Sequence, residues 1–359
     1  MSTIYDVAAA AGVSKTLVSR YLNGQTGVSP ASRAKIERAI ERLEYRPNQL
    51  ARSLKTNRTN TIGVLMDGLC TPYYFDLIRG IERGAEASGF RALFSSADHI
   101  LRAELDRQRR LKQKLSERAG LSDSRTDDSE LDAGRVEFFT QGGADGVIIY
   151  GSRTTEESFL RSMAITGLPL VFIEYAPAQA AANRVLLDNA QGARLATTNL
   201  IERGWKDIRH FQGEMNKQIS ADRRDGFIEA MTTGGMRITK KSLIDSGFSE
   251  ESGYRAMKGL IENKDLPDAI FFSADLAAFG AYRALLENGY QVPRDIAFFG
   301  FDDDVPDSRD ILFPALSTVR QPLFEMGRQA AELLAQAIEN PQSPPRTIVL
   351  QPELVIRET

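Results

Sequence analysis

Residues 3 to 23 place the tightest constraint on what this chain can fold into. Thr3-Ile-Tyr-Asp-Val-Ala-Ala-Ala-Ala-Gly-Val-Ser14 leads directly into Lys15-Thr-Leu-Val-Ser-Arg-Tyr-Leu-Asn23. Thr3 is placed to cap a first helix, with Asp6 in its first turn where the helix dipole favours an acid. Val7 and Ala11 lie four apart and share a face. Gly12 supplies the backbone freedom of a tight turn, and Ser14 is placed to cap a second helix. On that helix Leu17, Val18 and Leu22 form the apolar side, and Lys15, Thr16, Ser19 and Arg20 the polar one. Two short helices joined in this way form a helix-turn-helix, whose second helix enters the DNA major groove. Short polar and long basic side chains on its outer face suit base edges and phosphates.

A third helix is predicted after Ser29, with Pro30 in the first helical position, where its missing N–H costs nothing. Ile36, Ala39, Ile40 and Leu43 follow the helical repeat and close a small three-helix core; Pro47 ends the unit. Asn48-Gln-Leu-Ala-Arg-Ser-Leu-Lys-Thr56 has a helical pattern but no apolar face large enough to fold alone. By residue type it reads either as a basic linker or as a segment that orders on DNA, with Leu54 wedged between base steps of the minor groove. Residues 1–58 hold ten Lys or Arg against four Asp or Glu, a net of +6; the whole chain is −3, so the remainder carries −9. A basic head on an acidic body is the charge distribution of a DNA reader.

These residues resemble the headpiece of the lac repressor/galactose repressor (LacI/GalR) family. The matching stretches are Ile4-Tyr-Asp-Val-Ala8, Ala11-Gly-Val-Ser14, Val18-Ser-Arg20, Asn23, Val28-Ser29, Arg33 and Leu43-Glu-Tyr-Arg-Pro-Asn48. Ala51-Arg-Ser-Leu-Lys55, with Asn57, Thr59 and Ile62-Gly63, looks most like the purine-repressor branch. The resemblance implies a hinge helix at residues 48–60. It also implies DNA contacts by Tyr5, Ser14, Lys15, Thr16, Ser19, Arg20, Asn23, Tyr45, Asn48, Ala51, Leu54 and Lys55.

Beyond residue 60, apolar runs alternate with helical stretches. Strands are expected at Thr61–Met66, Arg91–Ser95, Gly146–Tyr150, Leu170–Tyr175, Arg184–Leu187, Ile208–Gln212, Ser242–Ile244, Ala269–Ser273 and Ile296–Phe301. Helices are expected at Tyr73–Ser88, Ala190–Arg203, Arg223–Thr233, Glu251–Asn263, Leu276–Asn288 and Leu323–Glu339. Apolar strands joined by crossover helices argue for an α/β fold with parallel sheets buried on both faces. One cysteine, Cys70, excludes an internal disulfide framework, and with only His99 and His210 a histidine metal cluster is not expected. No cofactor is called for. No apolar signal segment leads the sequence and no long apolar run interrupts it, so a bacterial cytoplasmic, nucleoid-associated location is expected and a membrane is not.

The resemblance continues through Asp145-Gly-Val-Ile-Ile149, Val185-Leu-Leu-Asp-Asn189, Arg223-Arg-Asp-Gly-Phe227, Asp275-Leu-Ala-Ala-Phe-Gly280, Phe299-Gly-Phe-Asp-Asp303, Ser317-Thr-Val-Arg-Gln-Pro322 and Met326-Gly327. It implies a type I periplasmic-binding-protein fold of two doubly wound lobes, crossed by hinge strands, with an effector cleft between them. Residues 1–47 would then be the DNA-binding domain and 48–60 the hinge. Residues 61–359 would form the effector-binding and dimerisation domain. In open α/β sheets ligands sit beyond the carboxyl ends of the strands, which independently points to Asp67–Phe75, Tyr150–Arg153, Glu174 and Ser273–Asp275.

The effector contacts implied are Tyr73, Glu174, Arg223, Phe248, Asp275 and Gln321. Tyr74 and Phe75 read as cleft wall or helix core, and Asp188 as the cap of the next helix rather than a ligand contact. The family's usual Asn before Asp275 is replaced by Ala274, which removes a polar group from the implied site. Two acids, one arginine and aromatic walls suit a carbohydrate-like effector, a sugar or sugar acid, better than a purine. Between Asp98 and Asp145 the chain is longer than the resemblance accounts for. Leu101, Leu105, Leu111 and Leu115 there share one arc of a helix, and residues 100–129 read as a solvated extra helix or as an added dimer or cleft-mouth contact.

A ligand-controlled repressor that binds a pseudo-palindromic operator as a homodimer accounts for both halves of the chain. A solute-binding protein of a sugar transporter shares the lobes but leaves the basic head without a role. An enzyme is not expected, because no phosphate-binding loop, nucleophile elbow or metal cluster is present.

Overall fold

The computed structural model describes residues 2–22, 24–45, 58–66, 73–96, 139–151, 167–174, 182–304 and 314–359. Asn23, the expected hinge residues Asn48, Ala51, Leu54 and Lys55, and the 100–129 insertion lie outside them. The chain divides into two compact units, Met1–Thr59 and Asn60–Thr359.

The first unit holds α1 (Ile4–Ala11), α2 (Lys15–Leu22) and α3 (Pro30–Arg42). Thr3 and Asp6 form a reciprocal capping box at the start of α1. Gly12 takes a left-handed φ of 64° and returns its N–H to the end of the same helix. The Ser14 hydroxyl accepts the Leu17 N–H at 3.2 Å, and Ser29 caps α3 through the Ser32 N–H. Val7, Ala8, Ala11, Val18, Ile36 and Ala39 form the buried core. Leu17, Leu22, Ile40, Leu43 and Tyr45 pack around it.

The second unit is built on two all-parallel sheets. The first contains β1 (Thr61–Met66), β2 (Arg91–Ser96), β3 (Gly146–Tyr150), β4 (Leu170–Ile173), β5 (Asn183–Leu187) and β11 (Thr347–Leu350), in the spatial order β11-β5-β4-β3-β1-β2. The second contains β6 (Ile208–Gln212), β7 (Leu243–Asp245), β8 (Ala269–Phe272) and β9 (Ala297–Phe299), ordered β7-β6-β8-β9. Strand order reverses between β1 and β3 in one sheet and between β6 and β8 in the other, and such switch points open crevices at strand ends. Strands β3, β6, β8 and β9 are buried along their whole length, as sheets covered by helices on both faces require. The covering helices are α4 (Tyr74–Ala87), α5 (Asn189–Glu202), α6 (Gln218–Thr233), α7 (Glu250–Glu262), α8 (Asp275–Glu287) and α9 (Leu323–Glu339). One apolar cluster runs from β1 and α4 through α5 to β6, β8 and β9, so the two lobes share a core.

Three strands are additional to those read from the apolar runs: β10 (Thr318–Arg320), its antiparallel partner β12 (Glu353–Val355), and β11 at the edge of the first sheet. At three or four residues each they are too short to show a period of two. Three expected strands end early: Leu170–Tyr175 stops at Ile173, where Glu174 turns to φ 72°, Ala269–Ser273 stops at Phe272, and Ile296–Phe301 stops at Phe299. Farther on, Asp302 and Asp303 take φ 123° and 58°. Helix α6 begins at Gln218, not Arg223, so Arg223 lies inside a helix rather than at its entrance.

Helices α7 and α8 approach so closely that a β-carbon on Gly280 would stand 1.8 Å from the Glu250 carbonyl oxygen. Gly259, on α7, has nothing within 4 Å of such an atom. Gly280→Ala should therefore destabilise the protein by about 1–3 kcal/mol, whereas Gly259→Ala should stabilise it by about 0.4–1 kcal/mol. Urea denaturation of both variants checks this packing; equal effects would contradict it.

Candidate functional site

On the headpiece, Lys15, Thr16 and Arg20 are exposed along α2, and Ser19 is half-buried between them. Tyr5 projects from the start of α1 and is 63% exposed. Ser14 uses its hydroxyl as a cap, and the Tyr45 side chain packs against the three-helix core. Tyr5, Lys15, Thr16 and Arg20 therefore present a solvent-facing polar surface, while Ser14 and Tyr45 shape the unit that carries it.

In the second unit the residues converge on Arg223, whose guanidinium is only 2% exposed. Its Nε donates to Asn189 Oδ1 at 2.8 Å and its Nη1 to the Ser273 carbonyl. Its Cζ lies 3.6 Å from the centre of the Phe301 ring. The carboxylate within ion-pair distance is Asp302, at 3.7 Å, and Gln321 Nε2 donates to Asp302 Oδ1 at 2.7 Å. Burial pushes the Asp302 carboxyl up to about 7, against the lowering pull of Arg223 and of the Gln321 hydrogen bond. The amide oxygen of Gln321, Oε1, is buried without a partner.

The first lobe supplies the facing side. Tyr73, at the entrance to α4, and Tyr150, at the end of β3, stand with their hydroxyls 3.2 Å apart. Tyr74 packs edge-on against both rings, whereas Phe75 is 58% exposed and belongs to neither wall nor core. Burial raises both Tyr73 and Tyr150 well above the ordinary tyrosine range, and the Glu174 charge adds to the rise in each. Glu174 also raises Asp302. Tyr73, Tyr150, Glu174, Arg223, Asp302 and Gln321 thus belong to one electrostatic neighbourhood that spans the two lobes.

Asp275 is placed differently. It opens α8 fully buried, and its oxygens accept from Thr318 Oγ1 at 2.8 Å and the Asp304 N–H at 3.0 Å. Its carboxylate ties the β8 end to the segments around β9 and β10. Phe248 lies against the Gly213 backbone, with Lys217 Nζ 5.0 Å from its ring centre. Gly213 donates to the Ser273 hydroxyl at 2.9 Å, which links Phe248 to the residue whose carbonyl receives Arg223. Asp188 accepts the Gln191 N–H at 2.9 Å as the cap of α5. The strand-end positions named from sequence include Tyr150 and Ser273 but omit Asn189 and Asp302, although these follow the ends of β5 and β9. The signal for Asp302 is the run of three acids, Asp302 to Asp304, that follows the apolar run Ile296–Phe301.

Asp303 faces the other way, accepting from Arg320 Nε at 2.7 Å and Arg357 Nη2 at 2.6 Å. Two successive non-glycine residues at positive φ are strained, and each is held by an arginine. Among the described residues no cluster of His, Cys, Asp and Glu suits a metal, and no helix is long and apolar enough to cross a membrane.

Comparison with known proteins agrees with this architecture at both ends. Residues 3–48 match the bacterial regulatory proteins of the lacI family, and residues 197–359 match a periplasmic binding protein-like domain. The HTH-type transcriptional repressor PurR of Erwinia tasmaniensis is 31% identical over 360 residues, spanning 100% of this chain and 97% of that protein. The chain belongs to the LacI family. PurR of Mannheimia succiniciproducens is 30% identical over 359 residues, spanning 100% of this chain and 98% of its own length. The transcriptional regulator CelR in complex with cellobiose aligns with a TM-score of 0.69 at 26% identity, covering 100% and 99% of the two chains. The lac repressor dimer bound to operator and the anti-inducer ONPF aligns at 0.80 with 24% identity, covering 100% and 98%, a likeness of fold. This LacI-family chain therefore joins a DNA-binding helix-turn-helix to an effector-binding type of domain.

The buried acid and the buried imidazole of this site have opposite pH consequences. An unfolded aspartate ionises near 3.9, and Asp302 in the fold near 7. The folded state therefore holds the extra proton in between, and Asp302 costs stability as pH rises through that window. His210, stacked between Phe227 and Phe271, is depressed to about 3 by burial. It costs stability as pH falls below its ordinary value. Asp302→Asn should remove the falling Asp302 contribution, so that thermal stability rises more with pH than in the parent between about pH 4 and pH 7, with the opposite His210 contribution left in place. An unchanged slope in a melting series across that range would remove Asp302 from the account.

Proposed function

We propose that this LacI-family protein is a repressor whose operator affinity is switched by a small polar effector. Residues 1–47 read the operator, residues 48–60 act as the hinge, and residues 61–359 bind effector and dimerise. One juxtaposition carries the reading: a single chain holds an exposed Lys15-Thr16-Arg20 face and a buried Arg223–Asp302 neighbourhood between two lobes. The solute-binding alternative leaves the first of these without a purpose, and nothing in the second resembles a catalytic constellation. The protein is accordingly placed in the cytoplasm, on DNA, as a homodimer matching a two-fold operator. Within residues 48–60, Asn48, Ala51 and Lys55 are proposed to contact DNA and Leu54 to wedge into the minor groove.

The effector is proposed to be carbohydrate-like and held by Tyr73, Glu174, Arg223, Gln321 and Asp302, with Phe248 as a wall and Asp275 as a support. Asp302, Glu174 and the unpartnered Gln321 Oε1 form an acceptor-rich surface, which favours a ligand dense in hydroxyl donors. Arg223 already spends two donors on Asn189 and Ser273, which weighs toward a neutral sugar over a sugar acid. CelR in complex with cellobiose and a LacI-family regulator from Enterococcus faecium with bound ribose are relatives in fold whose ligands have this chemistry.

Two measurements test this reading. Selection from a randomised duplex pool should yield a pseudo-palindrome bound by a dimer, with affinity falling steeply as salt rises through counterion release; an asymmetric site held by a monomer would contradict it. A thermal-shift panel of sugars, sugar acids and nucleobases should show stabilisation by a sugar. Arg223→Lys should abolish that shift while binding to the selected duplex persists. Stabilisation by a nucleobase alone would overturn the effector class.

A further inference from the structure

Lys15 does not extend freely into solvent. Its Nζ donates to the Tyr5 hydroxyl at 2.7 Å and stands 4.3 Å from the ring centre. The ammonium is therefore seated at the hydroxyl end of the phenol rather than over its face. The two residues open successive helices, Tyr5 at the second position of α1 and Lys15 at the first of α2. Because the turn at Gly12 fixes the relation of those helices, it also fixes the pair. The phenol feels the contact: the Lys15 hydrogen bond, with the lysine charge behind it, holds the hydroxyl below its ordinary range.

We propose that Tyr5 is a positioning residue for base recognition, holding Lys15 so that its ammonium reads guanine. The inference rests on the DNA-reading role of the headpiece. An ammonium carries three donors and no acceptor. One donor is spent on Tyr5, and two remain on the outward side. Guanine presents two adjacent acceptors, N7 and O6, in the major groove. Adenine sets its N7 acceptor beside an N6 donor, which a second ammonium proton opposes. A free lysine loses much rotamer entropy when it docks. One already held by a phenol loses less, which sharpens both affinity and register.

The test is a selection from a randomised duplex pool with the full-length protein and its Tyr5→Phe, Lys15→Ala and double variants. Affinities are then measured on the selected duplex and on the same duplex with guanine replaced by adenine or 7-deazaguanine at the affected positions. Lys15→Ala should relax one symmetric pair of guanines, with about a 10- to 100-fold loss of discrimination, the scale of one good base contact. Tyr5→Phe should relax the same pair of positions by a smaller factor, and it should add nothing further in the Lys15→Ala background. Unchanged melting of the variants would show that the headpiece is intact. A uniform drop in affinity across all duplexes, a change at a different position, or additive effects in the double variant would each overturn the positioning role. Failure of the parent protein to enrich any duplex would overturn this proposal together with the DNA-reading role; enrichment without the guanine pair would overturn this proposal alone.

Discussion

A guanidinium taken out of water must be surrounded by acceptors, and the interior of the second unit is organised around meeting that demand. Arg223 draws Asn189 from α5, the Ser273 carbonyl from the end of β8, Phe301 and Asp302 from the chain beyond β9, and through Asp302 reaches Gln321 beyond β10. Removing a partner from such a buried set leaves an uncompensated charge, which costs more than the pair contributes. Two of the elements that converge here, α5 and the chain running from β9 through β10, join the two sheets. Any ligand that offers hydroxyls to Asp302, Gln321 and Glu174 would change the balance at the junction.

The same region stores strain. Asp302 and Asp303 both take left-handed backbone angles, each costing about 1–3 kcal/mol, and both are tethered by charge. Asp302 faces Arg223 and Asp303 faces Arg320 and Arg357. One dipeptide therefore touches both the Arg223 neighbourhood and the β10–β12 pair. A two-state element whose balance ligand contacts can bias is what reciprocal coupling between effector and operator requires.

Most of the fold was legible because local chemistry and global pattern agree. Thr3, Ser29 and Asp188 cap the helices their positions suggest, and the apolar runs at Thr61–Met66, Gly146–Tyr150 and Ile208–Gln212 are strands over those same residues. The short strands β10, β11 and β12 were not, since their pairing is decided by distant partners. The candidate site was legible by residue type more than by geometry. Arg223, Glu174, Tyr73 and Gln321 share a neighbourhood, but the acid beside Arg223 is Asp302, a residue whose positive φ the sequence pattern does not reveal. Asp275, the stronger candidate on pattern, is instead spent on Thr318 and Asp304. Nor does sequence spacing reveal that Lys15 and Tyr5 are hydrogen-bonded, ten residues apart across a turn.

The proposed switch requires that one small molecule bound near Arg223 and one operator bound by the headpiece be energetically linked. The direct measurement is a titration of the most stabilising sugar against the protein, alone and saturated with its selected duplex. Linkage requires the sugar's affinity to differ between the two by the same factor by which the sugar changes duplex affinity. That reciprocal shift is the predicted result. Equal sugar affinity with and without duplex would contradict the account, whatever the headpiece reads.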